Sequence, residues 1–133
     1  MALSSPLRLI VVDDNDDFRA TLTGLLADLD SITVVAEGAS GEQAGRLVKA
    51  HRPDVAILDL GMPVTGWAAI DAVKAARPVT KVVVVTAMSE EHRHRALRAG
   101  ADAVVAKSGR DNLRLQIADA LGRVTGRQIA PNA

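Results

Sequence analysis

The chain has no cysteine, so neither a disulfide framework nor a thiolate metal site can be built from it. It has no excess of either charge: sixteen basic and sixteen acidic residues cancel. That balance removes the electrostatic footprint of a free-standing nucleic-acid or membrane-surface binder. No apolar run is long. Leu9–Val12 and Val82–Val85 have the length of strands and fall far short of a membrane span. Met1 to Leu7 lacks the basic segment and long apolar stretch of a signal peptide. Aromatic side chains are nearly missing, with Phe18, Trp67 and no tyrosine. No internal repeat, low-complexity tract or interior linker interrupts the chain. With 133 residues, 48% of them apolar, one cytoplasmic domain with a real core and no membrane contact is the expectation.

Five short apolar runs rich in β-branched residues recur along the sequence: Leu7–Val12, Ile32–Ala36, Val55–Leu58, Val82–Val85 and Ala103–Ala106. Continuous runs of this length read as strands buried on both faces, the pattern of a parallel sheet. The segments between them have helical period. Phe18, Leu22, Leu25, Leu26 and Leu29 form one apolar stripe. Ser40 with Gln43 three residues on is a capping box, opening a helix that buries Ala44, Leu47 and Val48. Ile70 and Val73 share a face of the third helix. The fourth starts at Ser89, with Glu90 and Glu91 in its first turn. The last stacks Leu113, Ile117, Leu121 and Val124, and stops near Gly126. Five β-α units with right-handed crossovers predict an α/β, doubly wound, five-stranded parallel sheet with helices on both faces. Only the tail beyond Val124 reads as unpacked.

Ligands of an open parallel sheet bind outside the carboxyl ends of the strands, where the strand order switches. Asp13 and Asp14 follow the first run, Asp59 the third, Thr86 the fourth and Lys107 the fifth. In the order 2-1-3-4-5 the first and third strands are neighbours, so three carboxylates converge at one rim. Three carboxylates so close repel unless a cation lies among them, and an open, all-oxygen set suits Mg²⁺. A carboxylate nucleophile surrounded by Mg²⁺, a lysine and a hydroxyl is a set for phosphoryl transfer. Taken alone, Asp13-Asp14 reads equally as a helix cap. Asp16 and Asp17 read as first-turn acids beside the helix dipole. His51, His92 and His94 have no metal-ligand spacing, and the His92–Arg95 run with Arg98 reads as a solvated face, with partner docking as its second reading. Gly38 to Gly45 matches no phosphate-loop motif and reads as a capped turn.

Four segments carry a family likeness. Val12-Asp13-Asp14-Asn15, Leu58-Asp59-Leu60-Gly61-Met62-Pro63, Val85-Thr86-Ala87 and Ala106-Lys107-Ser108 resemble the signature segments of bacterial response-regulator receiver domains, whose fold is flavodoxin-like, or CheY-like. The resemblance covers residues 7 to about 124 and implies a receiver domain over residues 1–124. It implies Asp59 as phosphoacceptor, Asp14 as a direct Mg²⁺ ligand with Asp13 close by, and the Gly61 carbonyl as a further ligand. Lys107 would pair with the phosphoryl group and Thr86 would hydrogen-bond to it. The implied donor is a sensor histidine kinase, and the chain would be a switch, not an enzyme with a separate substrate. Residues 125–133 resemble the start of the linker that joins receiver to helix-turn-helix domain in LuxR/NarL-type transcription factors. DNA would then be reached only through an output domain outside this chain, and homodimerisation is a further expectation.

The sequence departs from the family pattern at three places. Val104 stands where the family usually has an aromatic residue three positions before the lysine, so rotation of a ring there is excluded. Gly66, and the stretch from Thr86 to Gly100, each arrive about one residue early, predicting a shortened loop beneath the site and a truncated or displaced fourth helix. Ser108 replaces the frequent proline after the lysine, which removes an expected cis bond. Two other readings compete. A phosphatase or mutase working through aspartyl-phosphate would need a second acid where Gly61 stands. A degenerate or stand-alone receiver would act as a protein-interaction module.

Overall fold

The computed structural model describes residues 5–59, 63–87, 90–107 and 110–130. Five strands, β1 (Leu7–Val12), β2 (Ile32–Gly38), β3 (Val55–Asp59), β4 (Lys81–Thr86) and β5 (Ala103–Ala106), alternate with five helices. These are α1 (Asp16–Ala27), α2 (Gly41–His51), α3 (Pro63–Ala76), α4 (Glu90–Arg98) and α5 (Arg110–Thr125). The strands pair in parallel in the order β2-β1-β3-β4-β5, which is the doubly wound sheet expected from the pattern.

The continuous apolar strands are explained by which face each residue serves. Odd-numbered residues of β1, β3, β4 and β5 (Leu9, Val11, Val55, Ile57, Val83, Val85, Val105) pack with Leu22 and Leu26 of α1 and with Leu113, Ile117 and Leu121 of α5. Even-numbered residues (Ile10, Val12, Ala56, Leu58, Val82, Val84, Val104) pack with Ala44 and Val48 of α2, Ile70 and Val73 of α3 and Ala96 of α4. Side chains alternate along a strand, so a strand covered on both sides must be apolar at every position.

Several details differ from the expectations. β2 is an edge strand and is only half-buried, with Thr33 and Glu37 exposed. A register shift between Leu9 and Ile10 lets it run on to Gly38, whose carbonyl accepts the Asp13 N–H at 3.0 Å. Asp59 and Thr86 are the last residues of β3 and β4 and do not follow them. The tail beyond α5 is packed. Gly126 takes the left-handed conformation (φ 71°) that ends the helix. Ile129 then packs against the α1/α5 core layer, Asp30 N–H donates to the Ala130 carbonyl at 2.9 Å, and the Arg127 guanidinium donates to the Ser5 carbonyl at 2.6 Å. The expected helix start at Ser89, Leu60–Met62 of the shortened loop and the Ser108 bond lie outside the described residues; α4 itself is nine residues long.

Candidate functional site

The turn after β1 builds the acidic half of the rim. In the run Asp13-Asp14-Asn15-Asp16-Asp17, Asn15 takes the helix-capping role, its Oδ1 accepting the Phe18 N–H at 2.8 Å. That leaves Asp13 and Asp14 outside the cap. Asp13 is fully buried; its Oδ1 accepts the Asn15 N–H at 2.8 Å. Its Oδ2 is buried with no hydrogen-bond partner among the described residues. Asp14 is exposed. Arg19 ties this turn down, donating to the Asp13 carbonyl at 2.7 Å and to Asp16 Oδ1 at 2.7 Å, with Glu37 at 3.4 Å.

Asp59 reaches the same rim from the neighbouring strand. One oxygen from each of Asp13, Asp14 and Asp59 lies within 4.8 Å of the others. Lys107, immediately after β5, crosses to this cluster, and its Nζ donates to Asp59 Oδ2 at 2.6 Å. Its backbone N–H donates to the Thr86 carbonyl at 2.8 Å, which fixes where the lysine stem starts. Thr86 is buried. It stands one position past Val85, the residue paired with Asp59, and so belongs to the pleat that faces α3 and α4. Gly61 lies outside the described residues.

Three carboxylates against one ammonium leave the cluster negative. Burial is the first cause that raises the Asp13 carboxyl from 3.8 to about 6; the Asp59 charge adds to it, while the Asn15 N–H and Lys107 oppose it. The donor set is all oxygen, includes a buried carboxylate oxygen with no hydrogen-bond partner among the described residues, and opens to water at Asp14. Those features fit a hard divalent cation that keeps part of its hydration shell.

Sequence reasoning brought Asp13, Asp14, Asp59, Thr86 and Lys107 together, and the structure collects all five at one end of the sheet. It missed Asn15 as the cap, Arg19 as the tie, and Phe18, whose ring centroid lies 3.8 Å from Lys107 Nζ. Phe18 was legible only as the first member of an apolar stripe.

The sequence profile of the response regulator receiver domain matches residues 9–118. The chain belongs to this family. Among relatives of the receiver, the Bacillus subtilis (strain 168) transcriptional regulatory protein YhcZ is 36% identical over 99 residues, covering 73% of this chain and 46% of that protein. The receiver thus spans about half the length of the curated relatives it matches. Among solved structures, the signal receiver domain of NarL from Mycobacterium tuberculosis superposes with a TM-score of 0.78 at 32% identity, covering 93% of this chain and all of that one. CheY6, solved in complex with the P1 domain of CheA3 from R. sphaeroides, has a TM-score of 0.76 at 27% identity, covering 93% of this chain and 100% of that one. No helix among the described residues is long and apolar enough to cross a membrane.

Proposed function

We propose that this receiver domain accepts a phosphoryl group on Asp59 and serves as a signalling switch. The observation that carries the proposal is the Lys107 Nζ–Asp59 Oδ2 contact of 2.6 Å inside a cluster of three carboxylates. A carboxylate attacks phosphorus well only if positive charge stands ready for the oxygens of the transferring group. In the step proposed, a bond forms between an Asp59 carboxylate oxygen and phosphorus while the bond from phosphorus to the donor breaks. The donor departs as neutral imidazole from a phosphohistidine, with a proton from water, or as acetate from acetyl phosphate. Lys107 shifts its hydrogen bond from the carboxylate to a phosphoryl oxygen. Asp13, Asp14 and Asp59 would hold Mg²⁺, which when bound offsets the negative charge of the phosphoryl oxygens. Thr86, rising from the α3/α4 side, would donate its hydroxyl to the new group and so couple it to that face.

The donor proposed is a sensor histidine kinase, in keeping with family membership and with the CheY6–CheA3 assembly. The output proposed is transcriptional, through a DNA-binding domain beyond this chain. Three things support it: the length of the relatives, the transcriptional relative among them, and the tail's likeness to a LuxR/NarL linker. In this reading the chain catalyses only its own phosphorylation and dephosphorylation.

Incubation with acetyl phosphate and Mg²⁺, followed by intact mass, tests the proposal. Wild type should gain one phosphoryl group, and Asp59→Asn or wild type in chelator should gain none. Equal gains in wild type and variant would overturn it.

A further inference from the structure

The Lys107 ammonium has a second neighbour that phosphoryl transfer as described does not use. Phe18, the chain's only phenylalanine, places its ring centroid 3.8 Å from Lys107 Nζ, the nitrogen that also donates to Asp59 Oδ2 at 2.6 Å. The ring comes from the first turn of α1, directly after the turn that carries Asp13 and Asp14. Its backbone N–H is held by Asn15 Oδ1 at 2.8 Å, and the next residue, Arg19, holds the Asp13 carbonyl. Ring and acids are therefore parts of one braced unit, while the lysine arrives from a strand on the far side of β4.

We propose that Phe18 is a positioning residue for phosphoryl transfer: its ring face holds the Lys107 ammonium, charged and extended, against the Asp59 carboxylate. The inference rests on the phosphoacceptor reading of Asp59. An ammonium has three donors, and the Asp59 contact uses one of them. In a site where the lysine side chain is only 22% exposed, water cannot fully solvate the rest. The negative face of an aromatic ring attracts the cation without forming a bond that must be broken. The lysine can then slide from carboxylate to phosphoryl oxygen while keeping its floor, a motion that a second carboxylate would resist. The four-carbon stem is otherwise flexible, so the ring also narrows where the charge can be. Packing alone does not require a ring here. Phe18 is only partly buried beside the α1/α5 layer, and leucine would cover that apolar surface.

The test uses the whole 133-residue chain as wild type, Phe18→Leu and Phe18→Tyr. The rate of phosphorylation by acetyl phosphate with Mg²⁺ is read by intact mass, and the Lys107 ε-methylene resonances by NMR. A cation over an aromatic face corresponds to roughly threefold to tenfold in rate. Phe18→Leu should be slower by that factor and should lose the ring-current shift of the Lys107 ε-methylene; Phe18→Tyr should keep both. Transfer by Phe18→Leu at the wild-type rate overturns the positioning role. So does Phe18→Tyr as slow as Phe18→Leu, which would mean that bulk and fit alone matter, or a Lys107 resonance that Phe18→Leu does not move. Wild type that takes no phosphoryl group overturns the reading of Asp59 and this role with it, whereas normal transfer unaffected by either variant overturns this role alone.

Discussion

Replacing Asp13 with asparagine should make the metal-free protein more stable at neutral pH, although it removes a site residue. Asp13 is fully buried, and burial, reinforced by the Asp59 charge, raises its carboxyl from 3.8 to about 6. The folded chain therefore binds this proton more tightly than the unfolded chain does. The stability that Asp13 contributes is fully present below pH 3.8 and is lost as pH rises through about 6. At about 1.4 kcal/mol per pH unit between the two values, the loss above pH 6 comes to about 3 kcal/mol. Asparagine carries no charge, keeps an oxygen for the Asn15 N–H, and offers an amide donor to the neighbouring Asp59 carboxylate, whose charge raises Asp13. Asp13→Asn should thus gain about 1–3 kcal/mol at pH 7.5 in chelator. For a domain of this size that is a rise in Tm of about 3–5 °C per kcal/mol. Urea unfolding followed by circular dichroism at pH 7.5 and at pH 4 measures it. The gain should shrink below about 1 kcal/mol at pH 4, where wild type is protonated. Mg²⁺ should stabilise wild type more than the variant at pH 7.5. A variant less stable than wild type in chelator at pH 7.5, or a gain of equal size at both pH values, would refute this reasoning.

Three further outcomes are expected. Trp67, whose ring centroid lies 4.8 Å from the Arg95 guanidinium, links α3 to α4. Its fluorescence should change on titration with Mg²⁺ or beryllofluoride and should not change in Asp14→Ala; an equal response in that variant would detach the probe from the site. A Cβ on Gly122 would meet the Arg127 carbonyl oxygen at 2.9 Å, so Gly122→Ala should lift the tail. Hydrogen exchange should then speed at the Asp30 amide, which donates to Ala130, while the Ile57 amide in β3 keeps its protection; an unchanged Asp30 rate would contradict this. The chain alone should bind duplex DNA negligibly, because DNA affinity comes largely from cations that neutralise phosphates and the rim is carboxylate-lined. Titration of a labelled duplex at low and moderate salt checks this, and micromolar affinity with a steep salt slope would contradict it.

The parts of this fold legible in the sequence are those written in residue type alone. Val82–Val85 is apolar at every position because one pleat serves the α1/α5 layer and the other the α2–α4 layer. Acids ending the first and third runs needed only the strand order to become neighbours. What stayed hidden depends on competition between equivalent residues or on single contacts. Any member of Asp13-Asp14-Asn15-Asp16-Asp17 can cap a helix, and spacing does not say that Asn15 wins; the outcome frees Asp13 to be buried at the rim. The helical period sends Phe18 toward the core, but its first-turn place puts the ring at the end of the stripe, between core and rim. The extension of β2 to Gly38 hangs on a register shift that leaves no trace in composition. The tail has no apolar period to read, because it is held by Ile129 and by individual hydrogen bonds to Asp30 and Ser5.

Which carboxylate takes the phosphoryl group is the question on which the account turns, since three lie within 4.8 Å. Borohydride reduction of the acetyl-phosphate-treated, Mg²⁺-containing protein converts an acyl phosphate to homoserine, and peptide mass spectrometry then reads its position. Homoserine should appear at position 59, with Asp13 and Asp14 intact. Homoserine at position 13 or 14, or none at all in a protein whose fold is confirmed, would contradict it.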